Sequence, residues 1–246
     1  MQYALATDSR KKALVISHER SGTHFLMNTL ASAFGYVSVP WVNLDFELGI
    51  NFHDPLALRG YFERGHDRYI LNIVKSHHPA GFYAGTLDYL LQQFHCFYIH
   101  RHPAAVMESF HRLVCSLPWH EGPKVATAGE FMRAEPCGAL LRYQKTQHPS
   151  MLARWRAHVE GWLEVAESAP GRGLIVVRYE DLDGAFADTV RGIGERIGMS
   201  AQSLQRPVKD HKVVRAAPLE GATGINDDDR GLIESDVGEL LRRMGW

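Results

Sequence analysis

Three short polar segments hold the residue types of anion binding and proton transfer, each directly after a run of apolar, β-branched or aromatic residues. They are His18-Glu19-Arg20-Ser21-Gly22-Thr23-His24-Phe25, then Lys75-Ser76-His77-His78-Pro79, then Arg101-His102-Pro103, with Ser109 eight residues beyond Arg101. A tight polar turn containing Gly, placed between a strand and a helix, offers backbone N–H groups and hydroxyls to a phosphate. The Walker pattern G-x-x-x-x-G-K-[ST] is not met, because Ser17 stands at its first Gly and Thr23 stands at its Lys. In the second segment Lys75 and His77 project to the same side of an extended chain while His78 projects to the other. An imidazole with a pKa near ~6.5 is a competent base at neutral pH, and activity that depends on it should fall below about that pH.

The elements that must position these residues follow from apolar periodicity. Four runs read as strands, at Ala13–Ser17, Tyr69–Lys75, His95–His100 and Gly173–Arg178. Helical patterns span Phe25–Phe34, Pro103–Val114, Met151–Ala166, Ala185–Ile197 and Gly231–Met244. Pro103 suits a first helical position, with Val106, Phe110 and Leu113 on one face. Strands alternating with helices predict an α/β fold: a P-loop-type sandwich whose central, mainly parallel sheet is flanked by helices on both faces. All three polar segments then lie at the carboxyl ends of strands, where ligands of open α/β sheets bind. No Pro-, Gly- or Ser-rich linker and no repeat divides residues 1–246, so one domain is expected. Two aromatic-bearing stretches, 40–68 and 116–150, resist regular assignment and read as binding loops.

Composition narrows the function class. The 246 residues carry 27 Lys plus Arg against 28 Asp plus Glu, a net charge of −1. A nucleic-acid binder would carry a basic excess, so no nucleic-acid partner is expected and any anion site must be local. No apolar run approaches the ~18 residues of a membrane helix, and MQYALATDSRKK lacks the apolar core of a signal peptide. Cys96, Cys115 and Cys137 form no C-x-x-C pair, which reads as free thiols in a reducing, cytoplasmic setting. The 14 His show no spacing for a tetrahedral set, and the acidic NDDDR at 226–230 reads as the negative start of a helix. No metal is expected.

Taken together, the segments resemble the PAPS-dependent sulfotransferases, whose donor is 3′-phosphoadenosine 5′-phosphosulfate. ERSGTHF (19–25) is similar to the family's 5′-phosphosulfate loop, commonly P-K-S-G-T-T-W, and KSHHP (75–79) to its K-T-H-x-P segment. RHPAAVMES (101–109) keeps the Arg and Ser of the 3′-phosphate motif at the family's separation. RWRAHVEGW (154–162) and VVRYEDL (176–182) also have counterparts. The resemblance implies transfer of a sulfuryl group to a hydroxyl, less often an amine, of a small-molecule acceptor. His77 would be the base, Lys75 would pair with sulfuryl or phosphate oxygens, and Arg20 would stabilise charge on the bridging oxygen where the family commonly has Lys. Ser21, Gly22, Thr23 and His24 would hold the 5′-phosphate, and Arg101 with Ser109 the 3′-phosphate. Phe25 either stacks on adenine or packs in the core, and Tyr179 either contacts the nucleotide or packs on the sheet.

The C-terminal part departs from the family's R-K-G-x-x-G-x-W. Leu219-Glu220 stand at the basic pair and Asn226 at the Trp, leaving Arg215 as a nearby replacement or Arg101 acting alone. The dimerisation segment K-x-x-x-T-V-x-x-x-E finds Lys209, Val213 and Val214 but Pro218 in place of Glu, so the oligomeric state stays open. Two other classes remain: a P-loop kinase using ATP, which would want Lys at position 23, and a non-catalytic nucleotide-binding protein, which would not need His77.

Overall fold

The computed structural model describes residues 11–44, 54–63, 72–143, 146–168, 171, 173–208 and 224–246. Its strands are β1 (Lys12–Ser17), β2 (Val37–Asn43), β3 (Asn72–Ser76), β4 (Phe94–His100) and β5 (Leu174–Arg178). They form one sheet in the order β2-β3-β1-β4-β5, and every pairing is parallel. The helices in chain order are α1 (Thr23–Phe34), α2 (Pro55–Glu63), α3 (Leu87–Gln93), α4 (Pro103–Ser116), α5 (Ala128–Arg133), α6 (Met151–Ser168), α7 (Tyr179–Gly184), α8 (Phe186–Ile197) and α9 (Asp227–Arg243).

The period of two along the strands divides the core. Ala13, Val15, Phe97, Ile99, Ile175 and Val177 face α1 and α8, packing with Leu26, Leu30, Phe34, Val190 and Ile193. Leu14, Ile16, Val74, Cys96, Tyr98 and Leu174 face the opposite way, where α2, α3 and Trp162 of α6 cover them. A third cluster lies outside this layer, joining α4, α5, α6 and α9 through Phe110, Phe131, Trp155 and Ile233. A sheet buried on both faces explains why the strands read as continuous apolar runs instead of alternating ones. The sandwich expected from the sequence is the one observed.

The two stretches expected to be irregular are partly regular. The first takes in the second part of β2 (Val37–Asn43) and also α2; the second contains α5 and a 3-10 turn at Gly138–Tyr143. Pro40 cannot donate to a ladder; β2 tolerates it because it is an edge strand with an irregular register between Val37 and Val42. The short α5 is announced by a capping box, Thr127 with Glu130, too local a signal to show in apolar periodicity. Residues 69–71 of the expected second strand lie outside the described residues, and β3 itself runs Asn72–Ser76. The last helix begins four residues early, at Asp227, because Asn226 and Asp229 form a second capping box.

Asp229 also receives the Arg133 guanidinium, which docks α9 on α5. A Cβ on Gly129 would overlap the Asp229 carboxylate, which those bonds hold in place. Gly129→Ala should therefore lower stability by about 1–3 kcal/mol. Gly192→Ala, in the α8 interior with nothing within 4 Å of the new carbon, should raise it by roughly 0.5–1 kcal/mol. Urea unfolding of both variants measures the two shifts, and equal shifts would contradict this account of the α5–α9 contact.

Candidate active site

Parallel register brings the polar segments to one edge. Ile16 pairs with Ser76 on one side and Ser17 with Ile99 on the other, so the exits of β1, β3 and β4 are neighbours. The loop after β1 turns on two left-handed residues, Arg20 (φ 66°) and Gly22 (φ 97°). For a non-Gly residue such as Arg20 that conformation costs on the order of 1–2 kcal/mol, strain of the kind stored at functional sites. Ser21 N–H returns to the His18 carbonyl at 3.3 Å, and the Ser17 and Thr23 hydroxyls pair at 2.6 Å. Helix α1 starts with no side-chain cap and no acidic residue in its first turn, so its positive end is not answered from within the helix.

His77 sits beside this loop. Its Nδ1 lies 2.8 Å from the Ser17 carbonyl and 3.3 Å from the Ser17 hydroxyl. A carbonyl only accepts, so Nδ1 carries the hydrogen and Nε2 carries the lone pair in the neutral ring. Burial pushes the His77 pKa well below 6.5, and the Lys75 charge adds to this against the opposing influence of Glu19 and the Ser17 carbonyl. The expected acid limit near 6.5 is thus corrected: burial keeps the ring neutral to lower pH. His78 diverges from its neighbour, with Nδ1 at 3.1 Å from the Ser76 hydroxyl and its ring stacked on Phe82 at 4.0 Å. Lys75 is buried on the β3 end nearest His77.

A second group forms around Ser109 on α4. Arg20, expected at the bridging oxygen of the donor, donates from Nε to Ser109 Oγ at 3.0 Å. Burial lowers the Arg20 pKa, and the Arg101 and Arg112 charges lower it further, so the three cations lie within electrostatic reach of one another. None of the three has a carboxylate within 4.0 Å among the described residues. Arg101 lies over the Tyr179 ring at 4.3 Å, with its Nε buried and unpartnered; the Ser21 hydroxyl is also buried and unpartnered. Arg112 was missed in the sequence, yet its position one helical turn after Ser109 was a readable signal.

The remaining candidates spread outward. Phe25 is half-buried against Tyr179 and Phe186, with Arg206 over its ring at 5.0 Å. It sits at the margin of the core, between the two readings. Tyr179 both packs against Gly22 and supports Arg101. His24 meets Trp41 of β2 at 4.9 Å. Arg215, Leu219-Glu220 and the segment from Lys209 to Pro218 lie outside the described residues.

Sequence reasoning also missed a buried network behind the loop. Arg154 of α6 grips Glu19 with two bonds, 2.9 and 2.7 Å, and donates to His18 Nε2 at 2.8 Å. Burial alone would raise the Glu19 pKa, but Arg154 and His18 hold it well below 4.5. Burial takes His18 down to about 4. An Arg and a His four apart beside the apolar stripe of α6 were the available sign. Among the described residues no group of three His, Cys, Asp or Glu could hold a metal, and no helix is long and apolar enough to cross a membrane.

No family model and no curated protein matches the chain. Solved structures do match in fold. Retinol dehydratase, in complexes with androsterone and inactive cofactor PAP and with retinol and PAP, aligns at 16% identity with a TM-score of 0.51. The alignments cover 81% of this chain and 63% of that one. The mouse sulfotransferase SULT7A1 complexed with PAP aligns at 18% identity and a TM-score of 0.52, over 80% of this chain and 61% of its own. This chain thus spans less than two thirds of the length of those proteins, and at such identity the likeness is one of fold.

Two outcomes follow from the geometry. Gly22→Ala would force Cβ into the Tyr179 ring, with Cε2 at 2.9 Å, at a φ of 97° that Ala resists. Anion binding at the loop should be lost, which titration with 3′,5′-adenosine bisphosphate measures; unchanged binding would separate the loop from the site. The second outcome is steep acid sensitivity. His18 and His100 are held neutral in the folded state, burial lowering each from 6.5 to about 4, whereas the unfolded chain binds protons below 6.5. Their stabilisation is full above 6.5 and is lost as pH falls toward 4, on the order of 2 kcal/mol each by pH 5. Urea unfolding at pH 7 and pH 5 should show that loss, and equal stability at both would refute it.

Proposed function

We propose that this chain is a sulfotransferase that moves a sulfuryl group from 3′-phosphoadenosine 5′-phosphosulfate to a hydroxyl of a small-molecule acceptor. The observation that carries the reading is the bond from Arg20 of the uncapped phosphate loop to Ser109 of α4, with the Arg101 and Arg112 charges in electrostatic reach of Arg20 and no described carboxylate paired with any of the three. Two separated anion positions fit a donor phosphorylated at both 3′ and 5′ ends. The buried, unpartnered Ser21 hydroxyl and Arg101 Nε are the groups such a ligand would satisfy. An ATP-dependent kinase would leave the Ser109 group facing no phosphate, and Thr23, tied to Ser17, stands where a kinase loop needs Lys.

In this reading the donor supplies an activated sulfuryl group on a mixed anhydride. His77 Nε2 takes the proton of the acceptor hydroxyl, whose oxygen forms the new S–O bond as the S–O bond to the bridging oxygen breaks. The departing group is a phosphate with second pKa roughly 6, so it leaves as an anion and needs charge rather than a proton. Lys75, buried beside His77, supplies that charge from one side and Arg20 from the other. Ser21, Gly22, Thr23 and His24 hold the 5′-phosphate at the start of α1. Arg101, Ser109 and the Nε of Arg20 hold the 3′-phosphate, with Arg215 as a further contributor. Phe25 and Tyr179 flank the purine. The acceptor is a small molecule, with PAPS dependence, no metal and a cytoplasmic setting as parts of the same proposal.

Calorimetry should show 3′,5′-adenosine bisphosphate bound far more tightly than 5′-AMP. A charged hydrogen bond contributes roughly 1.5–3 kcal/mol, so Arg101→Ala should weaken the bisphosphate by more than tenfold. Arg20→Ala should weaken it too, because the side chain lies on Ser109, and should also slow transfer. Equal affinity for the two nucleotides would end the PAPS reading. With a transferable acceptor, His77→Ala should abolish turnover while nucleotide affinity stays nearly intact; His78→Ala should cost far less. Turnover at pH 6 should stay close to that at pH 7.5, since burial holds His77 neutral below 6.5.

A further inference from the structure

Arg154, His158 and Trp162 repeat every four residues on one face of α6, and each reaches a different part of the site. Arg154 holds Glu19 and His18 at the base of the phosphate loop. His158 Nε2 donates to the His77 carbonyl at 3.2 Å, and Trp162 Nε1 donates to the His78 carbonyl at 3.1 Å. Because a carbonyl only accepts, His158 Nε2 bears the hydrogen and its Nδ1 accepts from the Tyr98 hydroxyl at 3.1 Å. The His158 ring is sandwiched in place, parallel to Tyr98 and edge-on to His18. All these groups are buried.

We infer that this face of α6 is an alignment rail that fixes the phosphate loop and the His77-His78 turn to one rigid element, with His158 as the positioning residue of the base. The inference rests on the sulfotransferase reading for its catalytic consequence, though not for its geometry. The pairing of β1 with β3 and the His77–Ser17 bond hold the two loop starts together. Shared bonding to one helix braces both from behind, and a misplacement of about 1 Å can cost ~10²-fold in rate. His158 never touches the reacting atoms. It holds the backbone from which the His77 side chain reaches Ser17, which fixes the tautomer that leaves Nε2 as the acceptor.

The test divides the rail into its two ends. His158→Phe keeps ring volume and removes both hydrogen bonds; it should lower turnover at least tenfold with bisphosphate affinity within twofold of the parent. His158→Gln restores a donor and an acceptor and should return to within threefold of the parent. Arg154→Met should weaken bisphosphate binding more than tenfold; if it does not fold, Glu19→Leu with Arg154→Met removes both charges together and should show the same loss. Nitrogen NMR of labelled His reads the geometry without any donor. His77 should report hydrogen on Nδ1 in the parent and a mixture of tautomers in His158→Phe. Parental turnover in His158→Phe, equal losses in Phe and Gln, unchanged affinity without Arg154, or an unchanged His77 signal would each overturn the rail. A parent that transfers nothing would sink the sulfotransferase reading alone, and the NMR result would still decide the rail.

Discussion

A guanidinium that is almost wholly buried must face an anion, and in this protein that constraint sets the path of the chain at the site. Arg154 lies in the layer between α6 and the sheet and answers its charge with Glu19. An unpaired charge there would cost several kcal/mol, so Glu19 is committed inward. With Glu19 turned in, the following residues must reverse sharply, and they do so through the left-handed Arg20 and Gly22. The reversal presents hydroxyls, N–H groups and the start of α1 toward the sheet edge. The strain of that turn is small beside the cost of breaking the buried pair.

Charge at the edge is distributed unevenly for a chain with a net charge of −1. Arg20 lies on Ser109 with the Arg101 and Arg112 charges acting on it, while two carboxylates beside these segments in the sequence bond backbone N–H groups. Glu108 accepts from the Ile225 N–H, and Glu180 from the His102 N–H. Like charges left together raise the energy of the ligand-free protein, and an anion of two or more charges relieves it. A preformed site of this type binds by removing repulsion as well as by making bonds. The unpartnered Nε of Arg101 adds the cost of an unsatisfied donor, which a phosphate oxygen would also remove.

Next to that cationic group the protein keeps its imidazoles neutral. His18, His77 and His158 are all pushed down by burial, so three basic rings contribute no charge at neutral pH. This separation of roles would suit the proposed general-base chemistry beside an anion: permanent charge from Arg and Lys, and a lone pair from His. The same burial makes the folded state sensitive to acid, so the neutrality of these rings and the acid sensitivity share one physical cause.

The amino-acid sequence alone determined the layered α/β architecture, because continuous apolar runs for β1, β3, β4 and β5 and helical periodicity elsewhere depend only on local spacing. It also determined which polar turns would meet, since parallel strands put their exits on one edge. Less local features were hidden. Pro40 concealed β2, whose edge position and irregular register excuse it. Capping bonds, not apolar spacing, define α5 and the start of α9. Only the tertiary structure decided that Arg20 lies on Ser109, and that Arg154 and His158 tie the loop to the His77 turn through one helix. Those bonds join residues 81 to 136 positions apart, His77 to His158 and His18 to Arg154 at the two extremes. No window of sequence contains both partners. The direction of a side chain on a half-buried helix is set by the charge or carbonyl that the rest of the fold brings to it.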